Sequence, residues 1–144
     1  MITPPEAAAV ELHSAVVLHV EDEAPNRALL RATLSRASEP RVRDAVLVEA
    51  VDLASARDAL ATRAIDLVLL DVRLPDGNGL DLARDLARDG QPERPAVMVL
   101  SASVLPADRD AAIRSGADRF MSKPYRPAEL IAAMAELLEG RRTR

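Results

Sequence analysis

The sequence predicts an α/β fold in which a five-stranded parallel sheet is covered by helices on both faces. Short apolar segments alternate along the chain with segments whose apolar residues recur at helical spacing, which indicates repeated strand–helix units. Ile65 and residues 67–70 are apolar in five of six positions, a pattern typical of a strand buried on both faces. Because strand–helix–strand crossovers are right-handed in nearly all proteins, few arrangements other than a doubly covered parallel sheet remain.

The individual elements follow from local patterns. We expect strands at residues 15–20, 46–50, 65–71, 96–100 and 118–122. The five helices are expected from Pro25 to about Ala37, after the capping residue Asp52, from about Gly79 to Asp89, from Leu105 or Pro106 to Gly116, and from Pro127 onward. An acidic cap or a proline at the first turn is a common helix start, and Gly90 is a typical stop.

The loops and ends complete the organisation. Asp76-Gly77 is a typical turn pair, for which we expect no catalytic part. We expect one folded domain over residues 15–139, preceded by an extension over residues 1–14 that is partly ordered or a short helix. Residues 140–144 form a basic tail too short to fold. Met1 and this short tail favour a complete, stand-alone protein.

Composition excludes several classes of function. The net charge of −4 and the pI of about 5.2 argue against nucleic-acid or anionic-membrane binding. The absence of cysteine excludes disulfides, thiolate metal sites and thiol catalysis. No apolar run approaches about 20 residues and no signal peptide opens the chain, so we expect a cytoplasmic protein.

Polar residues stand at the carboxyl ends of four of the five predicted strands. Glu21 and Asp22 follow the first strand, Asp71 ends the third, Ser101 ends the fourth and Lys123, the only lysine, follows the fifth. Because parallel strands end at one edge of a sheet, and ligands bind there in open α/β sheets, we expect these side chains to converge.

The convergent groups predict phosphoryl chemistry with a divalent cation. Three neighbouring carboxylates repel one another, and a hard cation with oxygen ligands, Mg²⁺ rather than Zn²⁺, relieves this repulsion. Asp71 stands alone at its strand end and is the natural nucleophile towards phosphorus. An ammonium and a hydroxyl would then hold the phosphoryl oxygens.

Four stretches carry a resemblance to a known family. VEDEAPNR, LVLLDVRLPDGNGL, VLSAS and FMSKPY occur in the order and about the spacing of the receiver domain of two-component response regulators, which the sequence resembles over residues 15–139. The resemblance implies a flavodoxin-like, doubly wound (βα)5 fold. It also implies a regulatory domain, not an enzyme, that accepts a phosphoryl group from a histidine kinase or phosphotransfer protein with Mg²⁺.

The resemblance implies a role for each matching position. By the resemblance, Asp71 is the phosphoacceptor and Lys123 is the lysine that binds the phosphate. The metal ligands are Asp71, Asp22 and the backbone carbonyl of Arg73, and Glu21 acts on the metal through water. The switch residues are Ser101 as the hydroxyl, Ala102 as the small residue that admits the phosphoryl group, and Phe120 as the aromatic. The Lys123-Pro124 bond is expected to be cis.

The expected output is contact with another protein. By the resemblance, a downstream target or a second copy would bind the face formed by the fourth helix, fifth strand and fifth helix, with no nucleic-acid contact and no membrane. The chain could instead be a receiver domain excised from a hybrid histidine kinase or a multidomain regulator.

Other functions fit less well. A phosphatase of the haloacid dehalogenase type would need an aspartate at position 73, where arginine stands, and has no room here for a cap domain. A degenerate docking module would have lost the acceptor, the acids or the lysine. His19, inside the first strand, is expected to be a hydrogen-bonded core or edge histidine, not a phosphotransfer residue.

Overall fold

The sheet has the predicted parallel architecture. The computed structural model describes residues 14–90 and 93–142. The strands of the main sheet are β1 (Val16–Val20), β2 (Val46–Ala50), β3 (Leu67–Asp71), β4 (Ala96–Ser101) and β5 (Arg119–Ser122). They are ordered β2-β1-β3-β4-β5, and all neighbours are parallel. The order reverses between β1 and β3, which is where open α/β sheets bind ligands.

The described part of the chain contains one helix more than expected. The long helices are α1 (Ala24–Ser35), α2 (Leu53–Thr62), α3 (Gly79–Arg88), α4 (Pro106–Arg114) and α5 (Pro127–Arg142). A further single-turn helix, Pro40–Arg43, lies between α1 and β2. Its start is marked by Pro40 and by the Glu39 side chain, which accepts a hydrogen bond from the Arg41 amide.

The core consists of two apolar layers, one on each face of the sheet. Alternate residues of the central strands supply the two layers, since successive side chains in a strand point to opposite faces. Val17, Leu67 and Leu69 pack with α1 and α5, through Leu30, Leu34, Leu130, Met134 and Leu138. Leu18, Val68 and Leu70 pack with α2 and α3, through Leu53, Ala56, Leu82, Ala83 and Leu86. The continuous apolar run around β3 is therefore buried on both sides, as predicted.

The carboxyl end of the domain differs from the prediction. Helix α5 continues through Gly140 to Arg142, so the expected unfolded tail is wrong for residues 140–142. The run of good helix formers before Gly140 lets the helix pass the glycine. The expectation for the amino-terminal extension falls on residues 1–13, outside the described residues. No helix in the described ranges is long and apolar enough to cross a membrane.

His19 is buried in β1, at 4% exposure. Burial lowers its pKa to about 4, although the charges of Glu21 and Glu49 act in the opposite direction, so the ring is neutral at pH 7. Its Nδ1 atom has no hydrogen-bond partner within the described residues. The expected core position is confirmed, and the expected complete hydrogen bonding is wrong for Nδ1, although Glu49 of β2 lies opposite His19 in the register.

Two adjacent leucines of α1 provide a test of the packing. Leu30 is fully buried, whereas Leu29 is 60% exposed. We expect Leu30→Ala to lower the free energy of unfolding by about 2–5 kcal/mol, because it leaves a cavity under the sheet. Leu29→Ala, the same chemical change one residue away, should stay within about 0.5 kcal/mol of the wild type. Urea unfolding followed by circular dichroism measures both, and equal effects would contradict this placement of α1.

Candidate functional site

Three carboxylates meet at the carboxyl edge of the sheet. Glu21 and Asp22 follow β1, and Asp71 ends the adjacent strand β3, where Val20 pairs with Leu70. Each of the three acids places a carboxylate oxygen within 4.8 Å of the others. Glu21 is buried, Asp71 is 17% exposed at its side chain, and Asp22 is open to solvent. The predicted convergence of these acids is therefore observed.

Lys123 reaches the same cluster from beyond β5. Its Nζ atom lies 3.0 Å from Oε1 of Glu21 and 3.8 Å from Oδ2 of Asp71. The Lys123 amide donates to the carbonyl of Ser101, which fixes the start of this segment against β4. The Lys123-Pro124 peptide bond is cis, as expected. The ammonium therefore contacts two of the three carboxylates, and its shorter contact is with Glu21.

The local electrostatics separate the two inner carboxylates. Burial raises the pKa of Asp71, the charge of Lys123 opposes this rise, and the charge of Glu21 adds to it. Burial alone would also raise the pKa of Glu21, but hydrogen bonds from Lys123 and the Glu23 amide outweigh it and hold that pKa low. Glu21 is thus a stable carboxylate, whereas the charge on Asp71 is poorly compensated.

The loop between β1 and α1 is held by contacts that the sequence analysis missed. Arg27 Nη1, from the first turn of α1, donates to the carbonyl of Glu21 at 3.0 Å. The Glu23 amide donates to Oε2 of Glu21 at 3.2 Å, and Asn26 bonds to the Glu23 side chain. Together they fix the backbone that presents Asp22. Arg27 lies within the matching stretch VEDEAPNR, but its spacing alone does not reveal a bond to a backbone carbonyl.

The loop between β3 and α3 folds back on Asp71. Residues Arg73–Leu74 and Gly77–Asn78 form a small antiparallel hairpin. The Gly79 amide donates to the Val72 carbonyl at 2.7 Å. A β-carbon on Gly79 would lie 2.1 Å from the carbonyl oxygen of Asp71, so only glycine allows this approach.

The remaining predicted residues lie around the cluster. Ser101 is buried at the end of β4, one residue after Leu100, which pairs with Asp71, and its Oγ accepts a hydrogen bond from the Ser103 amide at 3.1 Å. Ala102 follows and is exposed. Phe120 is half-buried on β5, where it packs against the apolar layer beneath α2 and α3. Arg73 is exposed, two residues beyond Asp71.

Comparison with known proteins identifies the family. A family model described as response regulator receiver domain matches residues 17–135. The chain belongs to this family. It is 39% identical over 122 residues to the KDP operon transcriptional regulatory protein KdpE of Escherichia coli, covering 82% of this chain and 48% of KdpE. It is 38% identical over 120 residues to the two-component response regulator ORR41 of rice, covering 83% of this chain and 91% of that protein.

Other relatives and solved structures agree with this assignment. The phosphate regulon transcriptional regulatory protein PhoB of E. coli is 34% identical over 123 residues, which cover 85% of this chain and 51% of PhoB. The receiver domain thus spans about half the length of KdpE and PhoB. The receiver domain of a putative LuxO repressor protein from Vibrio parahaemolyticus has the same fold, with a TM-score of 0.80, 21% identity and coverage of 91% and 95% of the two chains. The BeF3-activated receiver domain of Klebsiella pneumoniae RstA has a TM-score of 0.75, 27% identity and coverage of 85% and 97%.

The donor set of this receiver domain suits a hard divalent cation. All three clustered side chains offer carboxylate oxygens, and no cysteine or accessible imidazole lies among them. Mg²⁺ and Ca²⁺ prefer such ligands, whereas softer metals favour nitrogen and sulfur. The surplus negative charge of the cluster would favour such a cation electrostatically.

The raised pKa of Asp71 predicts a stability gain on neutralisation. Without divalent cations at pH 7, Asp71→Asn should unfold at higher urea concentration than the wild type, because asparagine removes a carboxylate whose charge is disfavoured by burial and by Glu21. Since the folded pKa lies above the unfolded one, ionisation of Asp71 destabilises the fold at neutral pH but not in acid. The gain should therefore shrink as the pH falls towards about 4, the ordinary pKa of aspartate.

Asp81→Asn serves as the matched control for this measurement. Asp81 lies on the exposed surface of α3, where it pairs with Arg84. Its neutralisation should change stability little, since exposed ion pairs contribute about 0–1 kcal/mol. A loss of stability in Asp71→Asn, or a gain that does not depend on pH, would contradict the electrostatic account.

Proposed function

We propose that this receiver domain is a phosphorylation-dependent switch in which Asp71 accepts a phosphoryl group from a histidine kinase or a phosphotransfer protein. The observation that carries the proposal is the placement of Asp71, which is partly exposed and lies beside the ion pair of the buried Glu21 with Lys123, the only lysine. A free carboxylate oxygen at a strand end can attack phosphorus, and its surroundings can hold the transferred group.

The metal would be Mg²⁺, held by Asp22, Asp71 and the backbone carbonyl of Arg73. Glu21 is occupied by Lys123 and by the Glu23 amide, which supports a role for Glu21 through water, not as a direct ligand. When bound, Mg²⁺ would neutralise the charge that develops on the phosphoryl oxygens.

The protein's own groups would carry the transfer. An Oδ atom of Asp71 forms the new oxygen–phosphorus bond as the bond between phosphorus and the donor's imidazole nitrogen breaks, and the imidazole leaves with the electron pair. Lys123, 3.8 Å from Asp71 Oδ2, is close enough to donate to a phosphoryl oxygen after a small movement. The Ser101 hydroxyl would donate to another oxygen, and the small Ala102 leaves room for the group.

The response would run from Ser101 to Phe120. When Ser101 leaves the Ser103 amide to bond a phosphoryl oxygen, it vacates space beside Ala102, and the ring of Phe120 turns inward to fill it. Because packed cores do not support intermediate positions, this pair acts as a two-state element. Phe120 has no hydroxyl, so its rotation depends on ring packing alone, and the unphosphorylated protein samples the active state.

The output would be protein contact through the α4-β5-α5 face. A downstream protein or a second copy of the chain would bind residues 106–142 on that face, and residues 15–139 would be sufficient for the phosphorylation itself. KdpE and PhoB are named transcriptional regulatory proteins, so an output of that kind is the one that these relatives suggest.

Phosphorylation of Asp71 is directly measurable. Incubation with acetyl phosphate and Mg²⁺ should add one phosphate to the intact mass, because the small donor supplies the same phosphoryl group as a kinase. EDTA should prevent the addition, and Asp71→Asn should not be labelled. Asp81→Asn, an exposed acid on α3, should be labelled as the wild type is. Equal labelling of Asp71→Asn would exclude Asp71 as the acceptor.

The switch route predicts where the protein changes. Beryllofluoride with Mg²⁺, a stand-in for the phosphoryl group, should shift backbone amide signals from Asp71 and Ser101 through to residues 104–125. We expect partner or self-association through the α4-β5-α5 face to strengthen by about 1–3 kcal/mol, the usual scale of allosteric coupling. Ser101→Ala should still bind beryllofluoride but lose the distant shifts. Shifts confined to the metal site, or running towards α1 and α2, would show that the route is wrong.

Lys123→Ala distinguishes the lysine's part from that of the metal ligands. Its ammonium repels a nearby cation, so Mg²⁺ affinity should be kept or raised. The amide shifts induced by beryllofluoride should be lost, because the variant lacks the ammonium that would bind the beryllofluoride group. A large fall in Mg²⁺ affinity would contradict this role.

A further inference from the structure

We propose that Asp76 is a positioning residue for the phosphoacceptor site. Its carboxylate fastens the loop between β3 and α3 to the start of α2, and so fixes the segment that carries Asp71 and the Arg73 carbonyl. This inference rests on the proposed function of those two groups. Asp76 itself touches neither of them.

The fastening consists of two hydrogen bonds across a long sequence separation. Oδ1 of Asp76 accepts from the Leu53 amide at 2.8 Å, and Oδ2 accepts from the Ala54 amide at 3.1 Å. These amides lie 23 and 22 residues before Asp76 in the sequence. Both carboxylate oxygens are therefore used by one helix terminus.

The bonds complete the hydrogen bonding of α2 at its first turn. The opening amides of a helix have no partner within it and need one from outside. The Asp52 side chain accepts from the Ser55 amide at 2.8 Å, and the Ser55 hydroxyl accepts from the Asp52 amide at 3.2 Å. This local capping box leaves the Leu53 and Ala54 amides, which Asp76 takes. Asp52 and Asp76 thus accept hydrogen bonds from different amides at the start of α2.

Further contacts make the fastening a constraint on the loop. A β-carbon on Gly77 would lie 2.9 Å from Cδ1 of Leu53, so the loop backbone rests directly against α2. Beyond it, the Asn78 side chain accepts from the Leu80 amide and caps α3. The Gly79 amide closes the loop onto Val72.

Between Asp71 and α3, the loop is therefore held by the bonds of Asp76 to α2, by the bond of the Asn78 side chain to the Leu80 amide, and by the bond of the Gly79 amide to Val72. The hairpin that presents Arg73 pairs it with Asn78, and Leu74 with Gly77. Asp76 lies in the turn that joins those two pairs, so movement of Asp76 moves the whole hairpin. The bonds of Asp76 to α2 link this hairpin to a segment distant in the sequence, and Leu74 packs against the apolar layer on the same face of the sheet.

A carboxylate suits this position better than other side chains. It offers two acceptor oxygens to two adjacent amides, and its negative charge is favourable at the positive end of a helix. Asparagine would keep a single acceptor oxygen, and alanine would keep none. The three side chains therefore form a graded series at one site.

The experiment compares Asp76→Ala with Asp52→Ala. Both remove a cap from α2, but only the first releases the phosphoacceptor loop. Titration with MgCl2, followed by calorimetry, should show at least a tenfold weaker affinity in Asp76→Ala, the usual scale when a group that orients metal ligands is lost. Asp52→Ala should stay within twofold of the wild type. The rate of labelling by acetyl phosphate below Mg²⁺ saturation should fall in parallel.

Asp76→Asn provides the conservative variant. It should lie between Asp76→Ala and the wild type in Mg²⁺ affinity, and it carries the test if Asp76→Ala does not fold. Equal losses of affinity in Asp76→Ala and Asp52→Ala would mean that Asp76 acts only through the stability of α2, and would overturn the proposal. Unchanged affinity in both Asp76 variants would overturn it as well.

Hydrogen exchange at the Gly79 amide tests the positioning role of Asp76 independently of metal binding and phosphorylation. The Gly79 amide, bonded to Val72 within the loop, should exchange at least tenfold faster in Asp76→Ala and at the wild-type rate in Asp52→Ala. If the wild type neither binds Mg²⁺ nor accepts phosphate, the proposed function fails, and this exchange rate alone decides whether Asp76 holds the loop. Equal exchange in the two variants would then overturn the positioning role.

Discussion

The ion pair between Lys123 and Glu21 is the interaction on which the site depends. It joins a residue after β1 to a residue after β5, across the width of β3 and β4. A buried carboxylate without a partner is strongly unfavourable, so Glu21 needs this ammonium as much as the site does. Because the Lys123 ammonium is bonded to Glu21, Asp71 has only the longer contact with it, at 3.8 Å. Burial raises the pKa of Asp71, and the charge of Lys123, which is bonded to Glu21, only partly opposes this rise.

The unequal sharing of the Lys123 charge between Glu21 and Asp71 favours the proposed function at the expense of stability. The sheet brings three acids to one edge because its strands are parallel, and a fold selected for stability alone would not leave their charges unbalanced. In the proposed function, the imbalance would nevertheless supply the affinity for a cation and leave a carboxylate oxygen available for reaction. Local departure from the best stability is expected at such a site, and the apolar layers on both faces of the sheet supply the stability that it lacks.

Much of this arrangement could be predicted from the sequence, and the failures have physical causes. Uninterrupted apolar strands and helical spacing are local signals, so the sheet and the convergence of Asp22, Asp71 and Lys123 at its edge could be read from them. The bonds made by Asp76 could not, because a turn aspartate looks the same whether it faces solvent or a helix 22 residues away. The end of α5 was misplaced because Gly140 is a frequent helix stop, yet the run of good helix formers before it lets the helix continue to Arg142.

The resting contacts of the site would also determine how strongly the proposed phosphoryl group could act. Lys123 is bonded to Glu21, and the Ser101 hydroxyl accepts from the Ser103 amide. The Ser103 hydroxyl in turn accepts from the Leu105 amide and bonds to Asp108, so the segment from Ser101 to the first turn of α4 is held as one unit. In the proposed switch, phosphorylation would loosen both ties before it gained its own bonds. The shift in population would then be the difference between two sets of hydrogen bonds, so a strong local interaction would give only a modest bias between two global states.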